Sequence, residues 1–571
     1  MEWKKRTNLT SIEKIVEQNV KMPIDEFLNP PSDPYLTNLG EAVAFAKEVM
    51  KTTDDVTIVG DYDADGVCSS TILSIAVKEY TGKEPKIRIP RRFSEGYGLS
   101  MKIIDEIDEG LIITVDNGIA AIEQIKAAKN KGLKVIVIDH HLPVTNEETG
   151  KIRLPEADVI IDPHAIEGSQ FSCYCGAGLA YRFAKELIPN SSMLDPLLVF
   201  ASIATVTDVM PLIGDNRNLV IKGLDLIRKR HVTLGLNELL NEFDLSYVTE
   251  GDYGFRIGPA INAAGRLFDD GPEKVVELFK THPSPLEPEY PNEVNRCQEL
   301  AKEMVSWNRE RQELVYKSMI EANRIIEEEN LQDQVPLILY LPSCSEGIVG
   351  IIAGHLAETY RTPSIVFTNA KEEGVIKGSG RTFGSVHLKK FLDSVNKHLL
   401  GYGGHEGAAG LSMKLENLEA FRVDAEKELA GKAFLSDADT LYYDLEISQA
   451  DIHKTLIQLN RYAPFGEGNP QLVFRIKDYE LSPVNSVFYK VMGSRDQHIK
   501  LYGNKVSAVG FDLKEAYLAE NVPHKVALLG NLSQNYYKGN FYDQIEFFDF
   551  QKIENEKNEA KNTLEHLLMF A

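Results

Sequence analysis

Three short apolar runs in the first third of the chain, Thr57–Gly60, Leu111–Val115 and Lys134–Ile138, each stop at an aspartate. A helical pattern follows the first (67–80) and the second (120–132). A further apolar run at 157–161 precedes another helical pattern at 178–188. Runs that are apolar throughout and alternate with helices predict an α/β fold with a mostly parallel sheet covered on both faces. Ligands of such sheets bind at the carboxyl ends of the strands. Those ends carry Asp61-Tyr62-Asp63-Ala64-Asp65-Gly66, Asp116-Asn117-Gly118 and Asp139-His140-His141, and Asp208 closes the later apolar run Ala201–Thr207.

Carboxylates spaced i, i+2 converge on a cation when a loop wraps around it, and Gly66 gives the chain freedom to turn. Without a cation they repel one another. The competing reading of Asp61, Asp63 and Asp65 is an acidic loop that caps the next helix. Asp116 before Asn-Gly is by itself a turn former; beside the first motif it supplies a carboxylate to bridge two metals. Of the two histidines, one suits coordination as a neutral imidazole and the other suits hydrogen bonding to a phosphate oxygen. Asp139 more plausibly fixes the loop or orients a histidine. Asp208 completes the set, or caps a helix. Several carboxylates with one or two imidazoles and no thiolate suit Mn²⁺ or Mg²⁺ better than structural zinc. Two such ions serve phosphoester hydrolysis. No P-loop lysine motif, Ser-His-Asp arrangement or dinucleotide fingerprint occurs.

The chain has 571 residues, enough for two to four domains. Residues 1–45, with Pro23, Pro30, Pro31 and Pro34, read as an N-terminal extension on or before the first domain. The first α/β domain is placed at 46–225, a charged helical connector at 226–332, a second α/β lobe at 333–432 and a strand-rich barrel or sandwich at 433–571. The helical run from Pro291 to Asn330 is long enough to be a spine joining two lobes. In the second lobe, runs at 335–341 and 363–367 flank a helical stretch at 347–360. Near the end, Lys538-Gly539-Asn540 turns between two aromatic-rich strands. Their Tyr536, Tyr537, Phe541 and Tyr542 are either half core or a stacking platform for bases.

The formal net charge is −23. It argues against a general polyanion-binding surface and leaves room for a local basic groove, for which residues 86–92 and the pair Lys377 and Arg381 are candidates. Five scattered cysteines (68, 173, 175, 297 and 344) predict buried thiols in a reducing, cytoplasmic compartment. No apolar segment follows the charged N-terminus and no apolar run spans a membrane, so neither a signal peptide nor a membrane anchor is expected.

Read together, Asp61–Gly66, Asp116–Gly118, Asp139–His141 and Thr205–Asp208 resemble the successive motifs of the DHH phosphoesterase family. Within it the chain is similar to the RecJ-like single-strand-specific 5′→3′ exonucleases. The narrower likeness rests on Arg92–Gly98, Phe255–Arg266, Asn308–Gln312, Gly378–Arg381 and Gly404-His405. Pro464–Pro470 resembles the entrance to that family's C-terminal oligonucleotide-binding (OB) domain. The likeness covers roughly residues 50–550. It implies a DHH domain joined by a long helix to a smaller DHHA1-like lobe and then a β-barrel OB-fold. Asp63, Asp65, Asp116, His140 and Asp208 would hold two Mn²⁺ or Mg²⁺ ions, with Asp116 bridging and Asp61 and Asp139 in support. His141 would contact the scissile phosphate. Arg92, Arg266, Ser379 and Arg381 would receive the terminal 5′ phosphate, since guanidinium groups match phosphate geometry, and His405 would close the cleft. Taken singly, Arg381 also fits a surface ion pair and His405 a solvent-facing turn.

The implied activity is hydrolysis of single-stranded DNA from the 5′ end into mononucleotides, in repair or recombination, by a monomer working with a helicase and a single-strand-binding protein. Two departures mark a divergent enzyme of phage or mobile-element type. Cys344-Ser345-Glu346-Gly347 stands where the family has Trp-His before the glycine, so Ser345 replaces a phosphate-facing histidine, and Ala260 replaces an arginine. The competing readings are a phosphodiesterase of small phosphodiesters or oligonucleotides, and an inactive replication-fork scaffold. The scaffold reading predicts lost ligands, and all five are present.

Overall fold

The computed structural model describes residues 2–145, 150–284, 291–431, 440–521 and 523–553. The chain forms two compact units. One takes residues 32–210 and 218–438, the other residues 1–31, 211–217 and 439–571.

The first unit begins with a five-stranded parallel sheet. Its strands are β1 (Val56–Val59), β2 (Lys86–Arg88), β3 (Leu111–Val115), β4 (Lys134–Ile138) and β5 (Val159–Ile161), in the order β2-β1-β3-β4-β5. Ile58 pairs with both Ile87 and Ile113, and Ile113 with Ile136. This register aligns the strand ends, so the residues after β1, β3 and β4 meet at one edge. Both faces are covered. Val59, Ile112, Val135 and Val137 pack with Ile103, Ile119 and Ile125 into one buried cluster. Each such side chain is worth about 1.5–3 kcal/mol of burial.

Helix α1 (Ala64–Thr81) starts three residues before its apolar run. Asp63 has extended backbone and its carboxylate accepts from the amides of Asp65 and Gly66, the arrangement of a helix N-cap. The expected wrapping loop is therefore the first turn of a helix, and the role of Gly66 changes with it. A Cβ there would lie 2.5 Å from the carbonyl oxygen of Asp61, so Gly66 is required for close approach rather than for turning. Helices α2 (Ile122–Asn130), α3 (Gly176–Leu187) and α4 (Leu194–Thr207) belong to the same lobe.

After a π-helical turn at Tyr253–Ile257 comes α5 (Gly258–Leu267). The spine α6 (Pro291–Glu328) runs for 38 residues, about 57 Å at 1.5 Å per residue. Toward its start it buries Leu300, Met304 and Trp307, with the Trp307 ring tilted against Phe268 at 5.3 Å. Toward its end, Ala322 and Ile326 enter the core of the second lobe with Leu337, Leu339 and Ile352. One helix thus packs into both lobes.

The second lobe has strands β6 (Leu337–Tyr340), β7 (Ser364–Asn369), β8 (Val375–Arg381), β9 (Leu399–Gly404) and β10 (Ala408–Lys414), ordered β9-β10-β8-β7-β6. Helix α7 (Val349–Tyr360) follows β6. Only β6 and β7 are parallel; the other pairings are antiparallel.

The second unit is built on a seven-stranded sheet. Its strands are β11 (Leu445–Ile447), β12 (Phe474–Glu480), β13 (Tyr489–Met492), β14 (His498–Tyr502), β15 (Ser507–Gly510), β16 (Lys525–Tyr537) and β17 (Asn540–Lys552), in the order β11-β12-β16-β17-β15-β14-β13. The aromatic hairpin expected near the end is β16–β17, with Tyr536 opposite Phe541.

The N-terminal segment departs from expectation. Residues 1–31 belong to this second unit rather than to the first domain. Glu2–Lys5 pairs in parallel with Thr440–Tyr443, and Arg6 bonds the buried Asp444 at 3.0 Å. The helix Ile12–Val20 buries Ile12, Ile15, Val16 and Val20 in the core that holds Phe474 and Phe547. Its apolar stripe needed a core, and the one it found lies far along the chain. Leu39–Val49, by contrast, is part of the first unit. Residues 211–217 also join the second unit, where Arg217 donates to the carbonyls of Tyr462 and Ala463. The expected division between 432 and 433 falls outside the described residues.

Candidate metal centre and anion cleft

The aligned strand ends bring the acidic motifs together. Three groups each place one ligand atom per residue within 4.8 Å of the others: Asp61, Asp63 and Asp116; Asp65, His140 and Asp208; Asp116, His140 and His141. His140 Nε2 lies 3.1 Å from Asp116 Oδ1, 3.5 Å from Asp65 Oδ2 and 3.7 Å from Asp208 Oδ2. All five proposed ligands therefore converge. Asp61, expected only in support, contributes an oxygen to the same centre.

Neighbouring groups hold the ligands in place. Asp65 accepts from the amides of Gly176 (2.6 Å) and Ala177 (2.7 Å) at the start of α3. These are orphan donors of a helix N-terminus, a favourable place for negative charge. Asp116 sits at φ 58°, a left-handed conformation more accessible to aspartate than to most residues. Asp139 accepts from the amides of Ile119, His140 and His141 and from His141 Nδ1 at 2.8 Å. It braces the loop and orients a ring, as its sequence position suggested.

Burial comes first in setting the electrostatics, and the neighbouring carboxylates come second. Burial and Asp63 hold Asp61 well above the ordinary carboxylate range. Burial with Asp65 and Asp63 does the same to Asp116. Asp208 is pushed up to about 8 by burial, then by Asp65 and Asp63. Burial depresses His140, which favours the neutral imidazole a metal requires. Burial works against protonated His141, but the hydrogen bond and charge of Asp139 carry it up to about 9. Asp61 Oδ1 and Asp208 Oδ2 are buried with no hydrogen-bond partner. Oxygen atoms left unsatisfied in a crowd of carboxylates, with a neutral imidazole beside them, fit hard divalent cations of the Mn²⁺ or Mg²⁺ type.

A cleft of about 530 Å³ adjoins the centre. Arg92, Arg266, Ser379 and Arg381 line it together with Tyr62, Tyr97, Glu346 and Lys377. The four residues expected to receive phosphate thus come together. His405, expected to close the cleft, is exposed in the turn between β9 and β10 and is not among the lining residues. Arg92 stacks 4.4 Å from the Tyr62 ring. Arg381 donates to Ser379 Oγ at 3.0 Å. Arg266 is lowered to about 10, first by burial and then by Arg92, Arg311 and Arg381. Cations crowded to that degree form a receptacle for an anion. Ser345, in the place of the family histidine, is half-buried, and its hydroxyl accepts from the Gly347 amide at 3.4 Å. Ala260 is fully buried in α5.

Several participants carry no role in the sequence reading. Tyr97 lines the cleft, and its hydroxyl lies 3.3 Å from His141 Nε2 and 3.4 Å from the Asp116 carbonyl. It links the cleft to the centre and lies inside the Arg92–Gly98 motif. Asn262, inside the Phe255–Arg266 motif, accepts from the Ala64 amide at 2.9 Å. Asp162, at the end of β5, is raised to about 7 by burial and Asp139, and its Oδ2 is buried without a partner. Its place after the apolar run 157–161 was the available signal.

Comparison with known proteins follows the same division. Residues 55–204 match the DHH family, N-terminal domain; residues 335–431 match the DHHA1 domain; residues 443–549 match the RecJ OB domain. The chain is 31% identical over 475 residues to the single-stranded-DNA-specific exonuclease RecJ of Dickeya dadantii, covering 77% of this chain and 78% of that one. The chain belongs to the RecJ family. The Bacillus subtilis relative of the same name is 30% identical over 519 residues, 88% of this chain; the chain spans 62% of that relative's length. A crystal structure of RecJ in complex with Mn²⁺ from Thermus thermophilus superposes with a TM-score of 0.75 at 25% identity, covering 95% of this chain and 76% of that one. The architecture is that of the RecJ family: a DHH lobe, a DHHA1 lobe and a C-terminal OB-fold. Among the described residues, no helix is long and apolar enough to cross a membrane.

Proposed function

We propose that this chain is a divalent-metal-dependent exonuclease that degrades single-stranded DNA from its 5′ end and releases 5′-mononucleotides. The observation that carries this reading is the shared wall of the two sites. Tyr62 and Tyr97 line the cationic cleft, Tyr62 lies between Asp61 and Asp63, and Tyr97 touches His141 and Asp116. A phosphate held in the cleft leaves the next phosphate of a strand beside the carboxylates.

In this reading Arg92, Arg266, Ser379 and Arg381 hold the terminal 5′ phosphate. Asp63, Asp65, Asp116, His140 and Asp208 hold two Mn²⁺ or Mg²⁺ ions. Asp116 would serve both ions; it and His140 each belong to two of the three ligand groups. Ions held there would supply an activated water and neutralise charge on the phosphate being cut. Asp139 fixes Nδ1 of His141, which leaves Nε2 to hydrogen-bond a phosphate oxygen. The P–O3′ bond of the terminal nucleotide breaks. The mononucleotide leaves, and the shortened strand has a new 5′ phosphate to enter the cleft. Preference for a single strand follows the likeness to the single-stranded-DNA-specific exonucleases. Asp61 supports the centre, and His405, in the turn joining two strands that line the cleft, is assigned to closing it.

The OB-fold is assigned to holding the strand beyond the cut. With a net charge of −23, the enzyme gains little from long-range attraction to DNA. A helicase and a single-strand-binding protein are accordingly its expected partners, the monomer its working form and the cytoplasm its compartment. The test compares a 5′-phosphorylated single strand with a dinucleotide under Mn²⁺. Release of mononucleotides from the long strand is expected. Turnover of the dinucleotide alone would replace this reading with a small-substrate phosphodiesterase.

A further inference from the structure

Alternate residues of a strand share a face, and β8 sends Lys377, Ser379 and Arg381 into the cleft. Ser379 and Arg381 bond each other, but Lys377 does not join them. Its Nζ lies 3.0 Å from Glu346 Oε1. Glu346 is the one carboxylate among the residues lining the cleft, against Arg92, Arg266, Lys377 and Arg381. Its position is built in. The carbonyl of the next residue, Gly347, accepts from Arg266 Nη1 at 3.1 Å. A Cβ on Gly347 would collide with the main chain of Arg266, so no larger residue permits this approach. A carboxylate fixed inside an anion site opposes the site's own ligand. That arrangement makes sense where affinity has to be limited.

We propose that Glu346 is a specificity-determining residue of the cleft, holding Lys377 away from the bound phosphate and setting a ceiling on affinity for a phosphate dianion. This rests on the exonuclease reading for its use. The strand's 5′ end and the released mononucleotide present the cleft with the same terminal phosphate, carrying close to two charges near neutral pH. A nearby carboxylate weakens the cleft's hold on both; the strand keeps its contacts beyond the cleft, whereas the mononucleotide depends on the cleft alone. The product leaves after each cut instead of occupying the cleft.

The test uses the full-length, Mn²⁺-loaded protein and inorganic phosphate as probe, with affinity read by titration calorimetry. Glu346→Gln is expected to bind phosphate about tenfold more tightly than the parent, because a repulsive charge next to the dianion is gone. Lys377→Met leaves Glu346 without its counter-ion and is expected to bind phosphate about tenfold more weakly. The doubly substituted protein returns to near the parent value. Phosphate held at the cations is common to all of these proteins, so a change between them reports the cleft. On long strands, Glu346→Gln is expected to lower kcat without lowering kcat/KM, and thymidine 5′-monophosphate becomes a stronger inhibitor. A phosphate affinity of Glu346→Gln within twofold of the parent would overturn the inference. Tightened phosphate binding in a protein that degrades no strand would overturn the exonuclease reading and leave this inference standing.

Discussion

The metal centre and the anion cleft share two tyrosines and are opposite in charge. The centre packs Asp61, Asp63, Asp65, Asp116 and Asp208 around one neutral imidazole. The cleft gathers Arg92, Arg266, Lys377 and Arg381 around one carboxylate. Each is unfavourable alone, since buried like charges repel and neither set has matching counter-ions from the protein. In the proposed function the two are completed by different ligands, cations in one and phosphate in the other. A strand end that binds both draws them into a single reaction. Substrate recognition and chemistry should therefore be separable by mutation.

The largest expected effect is at the centre. Asp116→Ala should reduce strand hydrolysis by roughly a thousandfold or more, because a bound ion is worth several kcal/mol of transition-state stabilisation. Phosphate affinity of the cleft should stay within a few-fold of the parent, measured by calorimetry. Equal loss of both would show that the sites are not separable. The converse variant is Arg381→Ala. It removes a charge-assisted hydrogen bond worth about 1.5–3 kcal/mol, so KM for a 5′-phosphorylated strand should rise roughly ten- to a hundredfold. A strand with a 5′ hydroxyl should be nearly unaffected, and an equal penalty on both would place Arg381 outside terminal-phosphate recognition.

Acidity sharpens the contrast. In the metal-free protein Asp208 is raised to about 8, so the folded state binds a proton that an unfolded carboxylate has already lost. His141, raised to about 9, also binds its proton more firmly when folded. Both contributions are complete at low pH and are lost as pH rises, Asp208 between about 4 and 8 and His141 between about 6.5 and 9. Asp139 works the other way: Asp139 is lowered, and its contribution is lost as acid is added. The melting temperature without metal should therefore fall from pH 5 to pH 9, and Mn²⁺ should abolish or reverse the slope. A metal-free melting temperature that rises over this range would contradict the charge assignment.

The smallest effect concerns the backbone that carries Asp208. After α4, the amide of Met210 returns to the carbonyl of Thr205 and that of Val209 to Val206, which closes the helix in a Schellman arrangement. The left-handed position, usually glycine, is Val209 at φ 56°, with the residue 64% exposed. Val209→Gly should relieve strain and stabilise the fold by about 1 kcal/mol, read from denaturant unfolding. A destabilised variant would show that the side chain supports the site.

What was legible in the sequence follows from how each region is built. Metal ligands sit in contiguous motifs at the ends of apolar strands, so periodicity located Asp63, Asp65, Asp116 and His140 together. The parallel sheet was readable for the same reason. The cleft is assembled from segments near 62, 92–97, 266, 346–350, 377–381 and 401–412. No local pattern records that assembly: charge alone offered residues 86–92, Lys377 and Arg381 as a basic groove, and Arg266 and Ser379 came from family likeness. Glu346 was noticed only as part of a departure, and Tyr97 only as a letter in a motif, because their roles depend on contacts across the fold. The N-terminal segment was misplaced for a related reason. The stripe of Ile12, Ile15, Val16 and Val20 announces that the helix is buried but does not say against which core.

The most direct test of the central claim is polarity-resolved digestion. A single strand carrying a 5′-phosphate label, or a label at its 3′ end, is incubated with full-length protein and Mn²⁺. If terminal-phosphate recognition feeds the metal centre, the 5′ label is released at once as a mononucleotide, while the 3′ label stays on fragments that shorten progressively. Release of the 3′ label first, or cutting within the strand with both labels on long fragments, would contradict the account.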